Sequence, residues 1–303
     1  MFSHPLPSVN QTLRLQEVQG ELEITLKRED QIHSVISGNK LRKLKYNFQH
    51  AKKNGYRSVL TFGGAFSNHL AAVATAGHQY GFQTHGIVRG EELESQTLNP
   101  TLQYCTQKGM ALHFVNRTLY RNKKQALASV IINDKKPYII PEGGTNSLAV
   151  SGCAEILTSA DKDFDTIAVA VGTGGTMAGL IQSISDYQYI VGFQVVEDIE
   201  IPSRIRTFVS NDRWSLVSTY NEVGYAKTPK VLIDFAHSVA DQTGVILDPL
   251  YTAPMLWHLI KKWKENTWNF GNRLLLIHTG GHQSIKGINQ RLAQQGSSLH
   301  WPC

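Results

Sequence analysis

Four short stretches of the chain carry side chains able to do chemistry. The first is SGNKLRKL (37–44). Leu41, Leu44 and Phe48 recur at helical spacing, which predicts an amphipathic helix with Lys40 in its first turn. The positive end of the helix dipole opposes a cation there. Such a lysine is either solvated or held neutral, and a neutral, partly desolvated amine can form a Schiff base with an aldehyde. The second is GGAFSNH (63–69). Ser67 or Asn68 suffices as a helix N-cap, but Ser67, Asn68 and His69 in a row offer hydrogen-bonding groups for a small anion. The third is GTGGT (172–176), directly after the apolar run TIAVAV (166–171). Its glycines permit close backbone approach, and amides over a helix N-terminus can cradle a phosphate. No Gly-Lys-Ser/Thr follows as in a P-loop, and Met177 stands where GxGxxG needs its third glycine. The turn is therefore a simple phosphate cup or a structural tight turn. The fourth is HTGG (278–281), where Thr279 can donate to a ring nitrogen or cap a strand end. No acidic residue at suitable spacing completes a serine-hydrolase triad.

These stretches need elements to position them. Apolar, β-rich runs predict strands at 58–62, 84–88, 111–115, 137–140, 166–171, 189–196 and 274–278. Between them the spacing predicts helices at 67–80, 97–109, near 121–133, at 147–159, from about 175, at 228–242 and at 251–265. This alternation implies an α/β fold with parallel strands covered by helices on both faces. Ligands in such folds sit beyond the carboxyl ends of the strands, where all four stretches fall. The rhythm restarts after PEGGTN (141–146), which suggests a small α/β unit over 45–150 and a larger one from 1–44 with 151–303.

Bulk composition narrows the classes. The 303 residues suit one large or two ordinary domains, and 41% hydrophobic with 18% charged residues excludes a disordered chain. The net charge of +6 is spread over predicted helix ends such as KKNG (52–55), not clustered with aromatics as nucleic-acid binding requires. Cys105, Cys153 and Cys303 form neither a CxxC pair nor a metal-ligand spacing, so no metal is expected, and three scattered thiols fit a reducing compartment. The N-terminus MFSHPLPSVN has no basic region leading into an apolar run, and no stretch reaches the ~20 apolar residues of a membrane helix. The expectation is a soluble cytoplasmic protein.

Taken in order, the stretches resemble a family: the pyridoxal-phosphate (PLP) enzymes with the tryptophan-synthase-β fold, and within them the D-cysteine desulfhydrase and 1-aminocyclopropane-1-carboxylate (ACC) deaminase group. The resemblance rests on KRED (27–30), SGNKLRKL (37–44), GGAFSNH (63–69), PEGGTNSLAVSG (141–152), GTGGT (172–176), LDPLYT (247–252) and HTGG (278–281), and spans about residues 27–286. It implies two open, twisted, mainly parallel sheets flanked by helices, with the larger unit binding PLP, and a homodimer. It also implies roles. Lys40 forms the Schiff base with PLP and acts as general base, and Lys43 helps hold the phosphate. Gly172, Thr173, Gly174, Gly175 and Thr176 form the phosphate cup. Asn68 meets the phenolic oxygen, and Thr279 the ring nitrogen. Ser67, Asn68 and His69 face a small amino-acid substrate, with Ser67 near its carboxylate. Tyr251 matches a catalytic tyrosine, and Tyr225 in VGYAK a second one.

The implied reaction is β-elimination to a keto acid and ammonia. ACC deaminases have Glu directly after the catalytic tyrosine and Leu before the last Gly-Gly. This chain has Thr252 and Thr279, the D-cysteine desulfhydrase pattern. It departs from the family in Phe66, where Gln is usual, and in Ser37, where Gly is common. Phe66 would narrow the pocket or exclude a polar substrate group. Alternatives within the enzyme class are ACC deaminase and a PLP-dependent dehydratase, sulfo-lyase or racemase. Outside it stands a non-catalytic PLP-binding protein. A dinucleotide-dependent oxidoreductase explains the glycine turns but not Lys40 or Ser67–His69.

Overall fold

A computed structural model describes residues 8–18, 20–33, 36, 38–132, 136–219 and 227–303. Two sheets organise them. The larger has the strand order β1 (Asn10–Leu13), β2 (Glu23–Lys27), β10 (Arg273–Ile277), β7 (Thr166–Val171), β8 (Tyr189–Gln194), β9 (Trp214–Ser218). Only the β1–β2 pair is antiparallel. The smaller sheet is wholly parallel, in the order β5 (Met110–Val115), β4 (Gln83–Arg89), β3 (Ser58–Gly63), β6 (Tyr138–Ile139).

The unbroken apolar runs follow from burial on both faces. In β7, Ala168 and Ala170 enter one core while Ile167, Val169 and Val171 enter the other. In β10, Leu274 and Leu276 divide from Leu275 and Ile277 in the same way. The smaller sheet repeats this, with Val59 and Val88 on one face and Leu60, Phe62 and Ile87 on the other. The helix Asn39–Lys53 sends Leu41, Leu44 and Phe48 into the core of the smaller sheet. Among the described residues no helix is long and apolar enough to cross a membrane.

Several boundaries differ from expectation, each for a local reason. The helix expected at 97–109 runs Pro100–Gln107, because Asn99 caps it and Pro100 opens its first turn. The helix expected near 121–133 is two short ones, Arg117–Arg121 and Lys123–Ala128, because Asn122 ends the first and caps the second. The helix expected at 147–159 stops at Cys153, and Thr158 then opens a separate turn with Asp161 as its reciprocal cap. Strands β1, β2 and β9 and the helices Ile201–Arg206 and Gln283–Gln294 were not expected.

One buried ion pair ties β2 into the larger sheet. Lys27 and Asp161, both fully buried, approach to 2.7 Å. Asp161 also accepts from Asn10 Nδ2 at 2.8 Å and from the Thr158 amide at 2.8 Å. Removing the carboxylate leaves a buried ammonium unpaired, which costs about 3–5 kcal/mol. Asp161→Ala should therefore lower the unfolding free energy by that amount, read as a lower denaturant midpoint at unchanged m-value; a loss under about 1 kcal/mol would show that the pair is not sequestered from water.

Candidate active site

The carboxyl ends of β3, β7 and β10 open onto one cavity of about 880 Å³. Lys40, Lys43, Ser67, Asn68, His69, Gly172, Thr173, Gly174, Thr176, Tyr251 and Thr279 all line it, so residues far apart in the chain meet there as expected. Gly175 lies one residue inside the helix Gly175–Ser183, buried against Thr145 and off the cavity wall. Tyr225 lies outside the described residues.

Lys40 is placed by the backbone around it. Gly38 has φ +64°, and a Cβ there would collide with the Thr279 carbonyl. This close approach lets the Asn39 amide donate to the Thr279 carbonyl at 3.3 Å while the Gly38 amide donates to the Glu29 carbonyl at 2.9 Å. The fully buried Glu29 carboxylate in turn takes both prongs of Arg42, at 2.9 and 2.8 Å, and so holds the helix at its next turn. Lys40 retains some accessible surface, and that surface faces the cavity. Its amine donates to Asn39 Oδ1 at 3.0 Å, and Asn39 Nδ2 donates to Thr176 Oγ1 at 2.8 Å. Asn39 therefore joins the lysine to the glycine turn. Burial, reinforced by the Lys43 charge, lowers the Lys40 pKa to about 7.

The glycine turn is built as an open cup. Gly174 has φ +87°. A Cβ at Gly172 would stand 3.3 Å from Tyr251 Cε1, so the tyrosine ring lies across this part of the loop. Lys43 closes one side, donating to the Gly143 carbonyl at 2.8 Å and to Thr145 Oγ1 at 3.4 Å. Thr145 Oγ1 meets Thr173 Oγ1 at 2.6 Å. Buried cations and hydroxyls gathered around exposed loop amides suit a phosphate. Burial lowers the pKa of Lys43 as well.

Opposite stands the start of the helix Asn68–Tyr80. Ser67 caps it, accepting from the Leu70 amide at 3.2 Å, and still lines the cavity. Asn68 lines the cavity, and its Oδ1 is buried with no hydrogen-bond partner. The tautomer of His69 follows from its neighbour. The single Thr61 hydroxyl proton goes to the Ile140 carbonyl at 2.9 Å, so His69 Nε2, also 2.9 Å from Thr61 Oγ1, must donate to it. His69 Nδ1 is then a bare acceptor, buried and without a partner. Burial, with Lys40 and then Lys43 adding positive charge, pushes its pKa well below the ordinary value and keeps the ring neutral.

The floor is fixed by a polar knot. Asp248 caps the helix Thr252–Lys264, accepting from the Leu250, Tyr251 and Thr252 amides at 3.0, 2.8 and 2.8 Å. His278 accepts the Gly280 amide at Nδ1 (3.3 Å) and donates from Nε2 to the Ile246 carbonyl (2.9 Å). Thr252 is fully buried with its hydroxyl 3.4 Å from His278 Nδ1, whereas Thr279 lines the cavity. Asp30, His278 and His282 cluster beneath. Arg28 forks both oxygens of Asp30 at 2.9 and 2.8 Å, and His282 Nε2 also points at the Ile246 carbonyl, at 2.9 Å, so each metal-ligand atom of the cluster is engaged. Burial alone would raise the Asp30 pKa; the Arg28 fork, with help from His278, outweighs it and lowers the pKa.

Sequence reasoning assigned no role to Asn39, Thr145, Asp248 or His278, although each lies inside a quoted motif. It also assigned none to Glu142, inside PEGGTN, or to Arg89, Arg117 and Arg291, which no local pattern marked; all four line the cavity.

A buried amine beside an anion cup, with Asn68 and His69 on the same cavity wall, fits an aldehyde cofactor carrying a phosphate. In the cofactor-stripped protein the Lys40 amine should titrate about three units below a solvent lysine, charged at pH 6 and neutral at pH 8. NMR of reductively ¹³C-methylated lysines should show one resonance titrating near pH 7 that is lost in Lys40→Arg. A Lys40 resonance titrating near 10 would contradict the burial argument.

Comparison with known proteins agrees with this geometry. The family model described as pyridoxal-phosphate dependent enzyme matches residues 5–280. The chain is 31% identical to the bifunctional D-cysteine desulfhydrase/ACC deaminase, mitochondrial, of Arabidopsis thaliana, over 91% of this chain and 76% of that protein. It is 33% identical to a putative ACC deaminase of Thermotoga maritima, over 92% and 95%. Among solved structures, an ACC deaminase homologue superposes with a TM-score of 0.79 at 24% identity, covering 96% of this chain and 94% of the other, and so shares the fold. With its matched span taking in nearly the whole chain, the protein belongs to the pyridoxal-phosphate-dependent enzymes.

Proposed function

We propose that the protein is a lyase that removes a leaving group from the β-carbon of a small amino acid and releases a keto acid and ammonia, in the manner of a D-cysteine desulfhydrase. For cysteine, one water is consumed and pyruvate, ammonia and hydrogen sulfide are formed. The observation that carries the reading is the Lys40 amine, buried at the cavity wall and holding its proton only weakly at neutral pH. When bound, PLP supplies an electron sink for the pair left on Cα.

The chain supplies the rest. Lys43, Thr173, Thr176 and the amides of residues 172–174 would hold the phosphate. Thr279 faces the ring nitrogen, and Asn68 the phenolic oxygen. Ser67 and the N-terminus of the Asn68–Tyr80 helix hold the substrate carboxylate. Lys40, with its pKa lowered to about 7 and steadied by Asn39, takes the Cα proton at Nζ in its neutral form. His69 Nδ1 accepts a hydrogen bond from the substrate. The Tyr251 hydroxyl gives a proton to the departing β-substituent, with Tyr225 as the second tyrosine. A threonine hydroxyl protonates a ring nitrogen weakly, which suits elimination of a good leaving group better than opening an unactivated cyclopropane. The presence of both desulfhydrase and ACC deaminase activities in the name of the Arabidopsis relative supports the pairing of these two readings. The small unit over 45–150, which rests on the strand–helix rhythm, a cytoplasmic location, which rests on the scattered thiols, and a homodimer, which rests on the resemblance, belong to the same proposal.

The test is keto-acid release from D-cysteine, L-cysteine, β-chloroalanine and ACC by the holoenzyme. We expect pyruvate from at least one β-substituted substrate, with 2-oxobutanoate from ACC slower by an order of magnitude or more. Lys40→Ala should lower the rate by about 10²–10⁴-fold, the usual worth of a general base. Faster release from ACC would favour the deaminase reading, and no keto acid from any of the four would refute both.

A further inference from the structure

Phe66 stands between two hollows. One is the active-site cavity; the other, of about 220 Å³, lies between the helix Gln283–Gln294 and the segment 93–102. Phe66, Ala65, Leu93 and Arg291 line both, so the two spaces share this wall. The ring is tightly seated. A Cβ at Gly287 would stand 2.8 and 2.9 Å from Phe66 Cδ1 and Cε1, so the ring rests directly on that helix backbone. The Arg291 guanidinium lies 5.9 Å from the ring centroid, within cation–π range. Phe66 also directly precedes Ser67, Asn68 and His69, which line the cavity where the substrate would bind. The second hollow has apolar walls at Leu98 and Leu102 and polar ones at Thr97 and Gln290, a lining suited to a long or aromatic side chain with a little polarity.

We propose that Phe66 sets the length of substrate side chain the enzyme accepts. With the ring in place the site takes α-amino acids with a compact β-substituent; without it, the hollow beyond becomes a subsite for a longer one. Gly287 is the positioning residue, because a Cβ there would stand 2.8 Å from Phe66 Cδ1 and displace the ring. The proposal rests on the β-elimination reading for its catalytic arm, and its binding arm is independent of that reading.

For the catalytic arm, pyruvate release is followed from cysteine and S-benzylcysteine, both enantiomers, by wild type, Phe66→Ala and Phe66→Leu holoenzymes. Each S-benzylcysteine and one water give pyruvate, ammonia and benzyl thiol. The ratio of kcat/KM for the benzyl substrate to that for cysteine should rise at least about tenfold in Phe66→Ala, a step typical of a reshaped apolar pocket, and less in Phe66→Leu. For the binding arm, calorimetry compares alanine with homophenylalanine, which carry no leaving group; homophenylalanine should gain about tenfold in affinity in Phe66→Ala while alanine changes little. Gly287→Ala should push the ring into the cavity and weaken binding of both ligands, and it should lose that effect when combined with Phe66→Ala. Unchanged ratios and affinities in folded, cofactor-loaded variants would overturn the proposal. Wild type that releases no pyruvate from any of these substrates or from β-chloroalanine would instead defeat the elimination reading, leaving the calorimetry to decide the role of Phe66.

Discussion

The site depends on one close backbone approach, that of Gly38 to the carbonyl of Thr279. It brings the mouth of the Asn39–Lys53 helix against the loop after β10, with the Asn39 amide hydrogen-bonded across the contact. A side chain at position 38 has no room there, and the positive φ would strain one further. Because this helix packs its apolar face into the core of the smaller sheet while its first turn is bound to the larger one, the contact also joins the two sheets at the cavity. Lys40 projects from that junction, and its low proton affinity follows from being held there among protein atoms beside Lys43.

Around the lysine, the polar groups form a network that fixes which atoms remain available. Asn39 spends its amide on Lys40 and Thr176, which couples the amine to the cup. Thr61 gives its proton to a backbone carbonyl, which fixes the His69 tautomer and leaves Nδ1 unprotonated. Asp248 and His278 consume their capacity on backbone amides and a carbonyl beneath the cavity. Asn68 Oδ1 and His69 Nδ1, in residues that line the cavity, stay unsatisfied among the described residues.

Much of this was legible in the sequence, for identifiable reasons. TIAVAV at 166–171 is a strand to the residue because both its faces are buried and no polar position interrupts the run. The glycine turn and the Ser-Asn-His stretch were visible because strand, glycine and helix cap follow one another locally. Strand β2 was not, because Lys27 reads as a surface residue until Asp161, distant in sequence, neutralises it in the interior. The polar edge strand β1 gave no pattern for the same want of context. The convergence of four turns on one cavity depends on strand order, which periodicity does not encode; it became readable through the ordered set of motifs. The engagement of Phe66 with Gly287 was beyond reach, since nothing local joins two residues so far apart in the chain.

The account stands on the identity of the reacting amine. Borohydride reduction of the PLP-loaded protein, followed by proteolysis and peptide mass mapping, fixes the attached lysine directly. A single phosphopyridoxyl group on Lys40 is the predicted result. An adduct on Lys43 or on any other lysine, with Lys40 unmodified, would contradict the arrangement described.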